Sequence, residues 1–107
     1  MRLGNYECFL KQGTRAHDAY GKEQIFERHR HRYEVNPVFT EQLAQGGLII
    51  SGTSFQGKIV EVVEWKDSFG IATQAHPELS SRLENPNPMF MAFVKAAFER
   101  KKREGKL

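Results

Sequence analysis

Residues 48–78 read LIISGTSFQGKIVEVVEWKDSFGIATQAHPE, and the spacing of apolar and turn residues in this run decides the fold class. Leu48 to Ser51 is a short apolar strand. Ile59 to Trp65 alternates, with Ile59, Glu61, Val63 and Trp65 on one face and Val60, Val62 and Glu64 on the other. That period of two is the signature of a strand. Gly70 to Ala75 is another strand and runs into His76-Pro77-Glu78. The connections between these strands are too short for the crossover that parallel neighbours need, so the late strands pair largely antiparallel.

Upstream, Leu3 to Leu10 alternates and predicts a strand, with Leu3, Cys8, Leu10 and Tyr6 set between polar residues. Gln12-Gly13-Thr14 is turn chemistry; Thr14 caps a short helix through Tyr20, which Gly21 ends. Ile25 to Val35 is rich in β-branched, aromatic and long polar residues and predicts an arm extended through its middle. Asn36-Pro37 breaks the arm and opens a helix, with Asn36 as cap and Pro37 in its first position. Val38, Phe39, Leu43 and Ala44 form the apolar stripe of that helix, closed by Gly46-Gly47.

Downstream, Asn85-Pro86-Asn87-Pro88 is a loop that starts the last helix. Phe90, Phe93, Val94, Ala97 and Phe98 then recur on one helical face, which predicts a core-facing helix. Arg100 to Lys106 finishes it with positive charge, favourable at a helix C-terminus. The whole is an α/β chain, with too few crossover helices for a complete doubly wound sheet.

The chain has 107 residues, enough for one small domain or part of a larger one. Apolar residues make up 39%, a low share that implies a large polar surface or a missing neighbour. The net charge of +3 is only mildly basic, and nucleic-acid binding asks for a clustered basic face. Cys8 is the sole cysteine, so no internal disulfide forms and a reducing, cytoplasmic setting is expected. No apolar run reaches the length of a membrane span.

The sharpest chemical feature is His76-Pro77-Glu78. On an extended backbone, residues two apart project to the same side, so imidazole and carboxylate emerge together. A carboxylate beside a histidine sets its tautomer and stabilises the imidazolium, which is two-thirds of a nucleophilic triad. A capped turn after a strand is the competing reading. The second feature is the arm Glu27 to Asn36, ERHRHRYEVN. Extended alternation puts His29, His31 and Tyr33 on one side and Arg28, Arg30 and Arg32 on the other. Arginines suit a carboxylate or phosphate; nucleic-acid contact, a metal held by His29 and His31, and a solvated arm are the alternatives. His-x-His alone supplies only two metal ligands. Cys8 sits inside a predicted strand and reads as a buried structural thiol.

Taken together, these pieces resemble the closing part of the class I glutamine amidotransferase domain of the CTP synthase family. The residues that carry the resemblance are Met1-Arg2-Leu3-Gly4, the arm Glu27 to Asn36, Gly47-Leu48, Ser51-Gly52, Val60-Glu61, Gln74 to Glu78, Ser81-Arg82 and Phe93 to Ala97. It spans essentially residues 1–107, treated as one portion of such a domain. The resemblance implies an incomplete flavodoxin-like α/β domain with a Cys-His-Glu triad. It implies His76 and Glu78 as the triad's histidine and glutamate, and Arg32 as the arginine that helps hold glutamine. The family aminates UTP to CTP with ammonia from glutamine, using ATP and magnesium; no cofactor or metal is expected in this chain itself. Its expected partners are glutamine and the remaining amidotransferase and amidoligase portions, with no nucleic acid and no membrane.

The sequence departs from the family in ways that matter. It has no Gly-x-Cys-x-Gly elbow, and Cys8 does not match one. The turn Asp67 to Gly70 is shorter than the family's, Ala75 replaces an aromatic and Leu79 a phenylalanine. The chain alone is therefore expected to be inactive. The alternative is a free-standing non-catalytic interaction or regulatory module, and a homo-oligomer is one assembly it admits.

Overall fold

The computed structural model describes residues 2–105. Five strands form one sheet: β1 (Arg2–Leu10), β2 (Gln24–His31), β3 (Leu48–Ser54), β4 (Ile59–Trp65) and β5 (Ile71–Thr73). Their spatial order is β2-β1-β3-β4-β5 and every pairing is antiparallel. The expected antiparallel pairing of the late strands thus extends to the whole sheet. Three helices complete the α/β chain: α1 (Arg15–Tyr20), α2 (Thr40–Gln45) and α3 (Pro88–Arg103).

The ladder is uneven. Eight residues of β1 register against β2, from Arg2↔His31 to Phe9↔Gln24. Only Phe9↔Thr53 and Leu10↔Gly52 join β1 to β3. Gly52 sits where this seam is tightest: a Cβ there would lie 2.8 Å from Val62 Cγ2 and 2.9 Å from Cys8 Sγ. The β3–β4 hairpin turns through Gln56 and Gly57, both with positive φ (60° and 83°), and Lys58 N–H donates to Phe55 C=O at 3.2 Å. That backbone matches the twist of the flanking strands.

The core is small. Cys8, Leu10, Ala16, Ile25 and Val62 cluster in it, with Tyr20 and Ile71 packed against them. Cys8 is a buried thiol, as its strand position implied. On β1 the inward residues are Cys8 and Leu10, while Leu3 lies on the exposed side.

Caps hold the helices where the sequence put them. The Thr14 hydroxyl accepts from His17 N–H and donates to Lys11 C=O, and Gly21 closes α1 in the left-handed conformation. Asn36 caps a single 3₁₀ turn, Pro37–Phe39, that leads into α2. Asn87 caps α3 with Pro88 first in the helix.

The segment from Ile25 is extended through its middle, as β2, and leaves the sheet after His31. Two expectations need correction. The α2 stripe is largely open, with Val38 77% exposed. The α3 stripe is not core: Phe93, Val94 and Phe98 are each more than half exposed, and Met89 is the buried residue of the helix. The helix docks by its N-terminal end, and Phe69 meets Phe93 at 6.4 Å between ring centroids, while Val94 and Phe98 stay open. Its described extent ends at Arg103, and Lys106 lies outside the described residues. Among the described residues, no helix is long and apolar enough to cross a membrane.

Candidate functional site

The chain leaving β5 is tied down by its backbone at two points. Gln74 N–H donates to Glu61 C=O on β4 at 2.9 Å, and His76 N–H donates to Arg28 C=O on β2 at 2.8 Å. The segment therefore crosses from one ladder to the other just before the histidine. Pro77 then starts a 3₁₀ turn, Pro77–Leu79, closed by Leu79 N–H on His76 C=O at 3.0 Å.

This turn brings the imidazole and carboxylate together: His76 Nδ1 lies 2.7 Å from Glu78 Oε2. The pairing expected on an extended backbone is made instead by a helical turn. A fixed proline φ at the first position favours that turn. Both side chains remain solvent-accessible, at 38% and 56%. The hydrogen bond from His76 holds the Glu78 carboxyl below its ordinary range, helped by a backbone N–H. With Nδ1 engaged, the other ring nitrogen is left to act on a substrate or nucleophile.

Arg32 projects from the bend just after β2 and is exposed. Among the described residues it makes no hydrogen bond or ion pair with His76 or Glu78. It directly follows β2, the strand whose Arg28 carbonyl anchors His76, so one strand supports both.

Beneath the turn lies a buried carboxylate that the sequence reading treated only as a flank of the basic arm. Glu27 receives Ser80 Oγ at 2.9 Å, Asn87 Nδ2 at 2.6 Å and the Tyr20 hydroxyl. Burial, and then this carboxylate, push the Tyr20 hydroxyl above its usual value. Ser80 directly follows the 3₁₀ turn, so Glu27 fixes the exit of the site as Arg28 fixes its entry. The signal for Glu27 was its phase: it alternates with Ile25 and His29 on the inward side of β2.

Two more buried carboxylates went unread because charge on a strand suggests solvent. Glu64 accepts the N–H groups of Arg15 at 2.9 Å and Ala16 at 3.2 Å, capping α1 from β4. Glu61 accepts the Ser54 hydroxyl at 3.0 Å and lies 3.2 Å from His29 Nε2. Among the described residues, no group of three His, Cys, Asp or Glu side chains could hold a metal ion. Cys8 is buried in the core cluster and does not serve the site as a nucleophile.

Comparison with known proteins places this geometry in a family. Residues 1–96 match the model of class-I glutamine amidotransferases. The chain is 52% identical over 101 residues to the CTP synthase of Methanothermobacter thermautotrophicus, covering 94% of this chain and 19% of that protein. It is 49% identical over 100 residues to the CTP synthase of Nautilia profundicola, covering 92% of this chain and 18% of that protein. The chain thus spans about a fifth of the length of these relatives. Among solved structures, the glutaminase domain of Trypanosoma brucei CTPS with bound acivicin superposes with a TM-score of 0.88 at 34% identity, over 92% of this chain and 40% of that one. The α/β fold with its antiparallel sheet and C-terminal helix is that of this glutaminase domain, and the chain belongs to the class-I glutamine amidotransferase family.

Proposed function

We propose that these residues form the histidine–glutamate part of a glutaminase site that feeds ammonia to the amination of UTP to CTP. The observation that carries the reading is the 2.7 Å contact between His76 Nδ1 and Glu78 Oε2, in a chain similar to proteins named CTP synthase. Glu78 accepts the hydrogen bond from Nδ1–H and orients the ring. The free nitrogen of His76 then accepts a proton from an incoming thiol and returns it to ammonia as the glutamine amide breaks. Arg32 meets the α-carboxylate of glutamine through its planar fork. The thiol comes from outside these residues, since Cys8 is buried and no Gly-x-Cys-x-Gly elbow is present.

ATP and magnesium belong, on this reading, to an amidoligase portion. The described residues offer no three-ligand metal group, so no step is assigned to a metal here. A cytoplasmic setting goes with the reading.

The test uses the enzyme unit that contains these residues. His76→Ala is expected to lower glutamine hydrolysis about 1000-fold or more, while CTP formation from added ammonium persists. Arg32→Ala is expected to raise the KM for glutamine with kcat little changed. Hydrolysis that continues in His76→Ala contradicts the proposal.

A second reading is favoured by the open α3 face, where Phe93, Val94 and Phe98 are exposed. Here the chain acts as an interaction module and its apolar helix meets a partner. Wild-type glutamine hydrolysis that neither His76→Ala nor Arg32→Ala alters would favour this reading.

A further inference from the structure

His76 and Glu78 are both partly open to solvent, at 38% and 56%, so burial alone does not hold their side chains together. Their 2.7 Å contact depends on the backbone of the turn that joins them, and therefore on what pins the two ends of that turn.

Both pins come from neighbouring residues of one strand. At the entry, His76 N–H donates to the carbonyl of Arg28 at 2.8 Å. At the exit, Ser80 Oγ donates to Glu27 Oε1 at 2.9 Å. β2 is a firm base for both, since it registers with β1 over eight residues. The N–H groups of Ser80 and Ser81 turn back to Pro77 C=O, at 3.2 and 3.1 Å. A shift of Ser80 is therefore passed to the turn that carries Glu78.

The Ser80 hydroxyl has a single hydrogen to give, and two acceptors lie near it. Glu27 Oε1 is at 2.9 Å and Pro77 C=O at 3.3 Å. The nearer carboxylate takes it, which directs the hydroxyl out of the turn and onto β2. Without Glu27 the hydrogen falls back on Pro77, inside the turn itself, and the exit loses its tie to the strand. Glu27 is well held: it is 5% exposed, and its other oxygen accepts from Asn87 Nδ2 and from Tyr20. Burial keeps the Tyr20 hydroxyl above its usual range, so it remains a donor.

We propose that Glu27 is a positioning residue for glutamine hydrolysis, which through Ser80 holds the turn in which Glu78 meets His76. This rests on the assignment of His76 and Glu78 made above. Glu27 acts through Ser80 and takes no part in proton transfer. Its contribution is to keep Glu78 on Nδ1, so that the other ring nitrogen stays aimed at its nucleophile.

Ser80→Ala is the decisive variant. It removes the tie but leaves Glu27 with Tyr20 and Asn87, so α3 stays fastened. In the enzyme unit that contains these residues it is expected to lower kcat for glutamine hydrolysis about tenfold, with the KM for glutamine little changed. Ser80→Thr keeps the hydroxyl and should restore kcat. Glu27→Ala should show the same loss of kcat, and adding Ser80→Ala to it should cost nothing further, because both remove one contact. Carbon NMR of the Glu78 carboxyl reads the turn independently of turnover. Its midpoint is expected to rise toward that of an exposed glutamate in Ser80→Ala and to stay low in Ser80→Thr. A midpoint that does not move in Ser80→Ala, or moves equally in Ser80→Thr, overturns the proposal whatever the glutaminase does. A moved midpoint with unchanged kcat, in an enzyme that His76→Ala disables, overturns the role in hydrolysis. If His76→Ala leaves hydrolysis unchanged, the glutaminase reading fails instead, and the hold on the turn is judged by the midpoint alone.

Discussion

Asn87 Nδ2 donates to Glu27 Oε2 at 2.6 Å across sixty residues of sequence. The same asparagine caps α3, its Oδ1 accepting from Met89 N–H at 2.9 Å. One amide therefore fastens the last helix to β2 and starts that helix at once. Glu27→Ala removes the acceptor that Tyr20, Ser80 and Asn87 share, and leaves the buried Asn87 amide with only its 3.3 Å contact to Ser80 Oγ. It is expected to destabilise the fold by about 3 kcal/mol, read from the urea midpoint. A change under about 0.5 kcal/mol would show that the three donors find other partners.

Glu64 caps α1 from a distant strand, and two of its partners are backbone N–H groups that cannot move away. Glu64→Ala should cost about 2 kcal/mol. Glu64→Gln keeps one accepting oxygen but gives up the charge at the helix N-terminus, so it should cost less. Paired denaturation curves of the two variants check the order; equal losses would mean that the lost charge and second accepting oxygen, not the cavity, set the cost.

The Glu78 carboxyl is held down first by its hydrogen bond from His76. A lowered folded value means that this contact contributes above the ordinary carboxyl range and is lost as pH falls through the lowered value. Carbon NMR of the Glu78 carboxyl should place its midpoint below that of an exposed glutamate, and His76→Ala should move it back up. An unmoved midpoint would show that the imidazole does not hold the carboxylate.

Gln56 occupies a left-handed backbone position at φ 60° in the β3–β4 turn. Asn or Gly reaches that conformation with less strain. Gln56→Gly is expected to stabilise the protein by about 0.5–1 kcal/mol, seen as a raised melting temperature, while Gln56→Val should lower it. A neutral result for both would mean the turn contributes little to the folded state.

Sequence patterns revealed the elements whose signals are local. The alternation from Ile59 to Trp65 matches β4 residue for residue, and Thr14, Gly21, Asn36 and Asn87 stand at the helix ends where their chemistry put them. The His76–Glu78 pair was legible for a related reason: two residues apart, with a proline between, leave few geometries. What could not be read was which charged residues face inward. Glu61 and Glu64 lie on opposite sides of β4, yet both are buried, because their partners come from distant parts of the chain. The helical period of Phe90 to Phe98 correctly gave a helix with one apolar face. Periodicity shows that a face is apolar, not whether something covers it.

The thin seam between β1 and β3 changes how the molecule is held together. Two registered pairs join its halves, but each of the three buried carboxylates spans that line or braces an element beside it. Glu61 reaches His29 from the far ladder, Glu64 grips the helix that follows β1, and Glu27 fastens the final helix to the edge strand. The protein is riveted more than zipped. Its two ladders meet along a short seam, and mechanical load applied to the candidate site will be shared between three side-chain bolts and the backbone ties of Gln74 to Glu61 and His76 to Arg28.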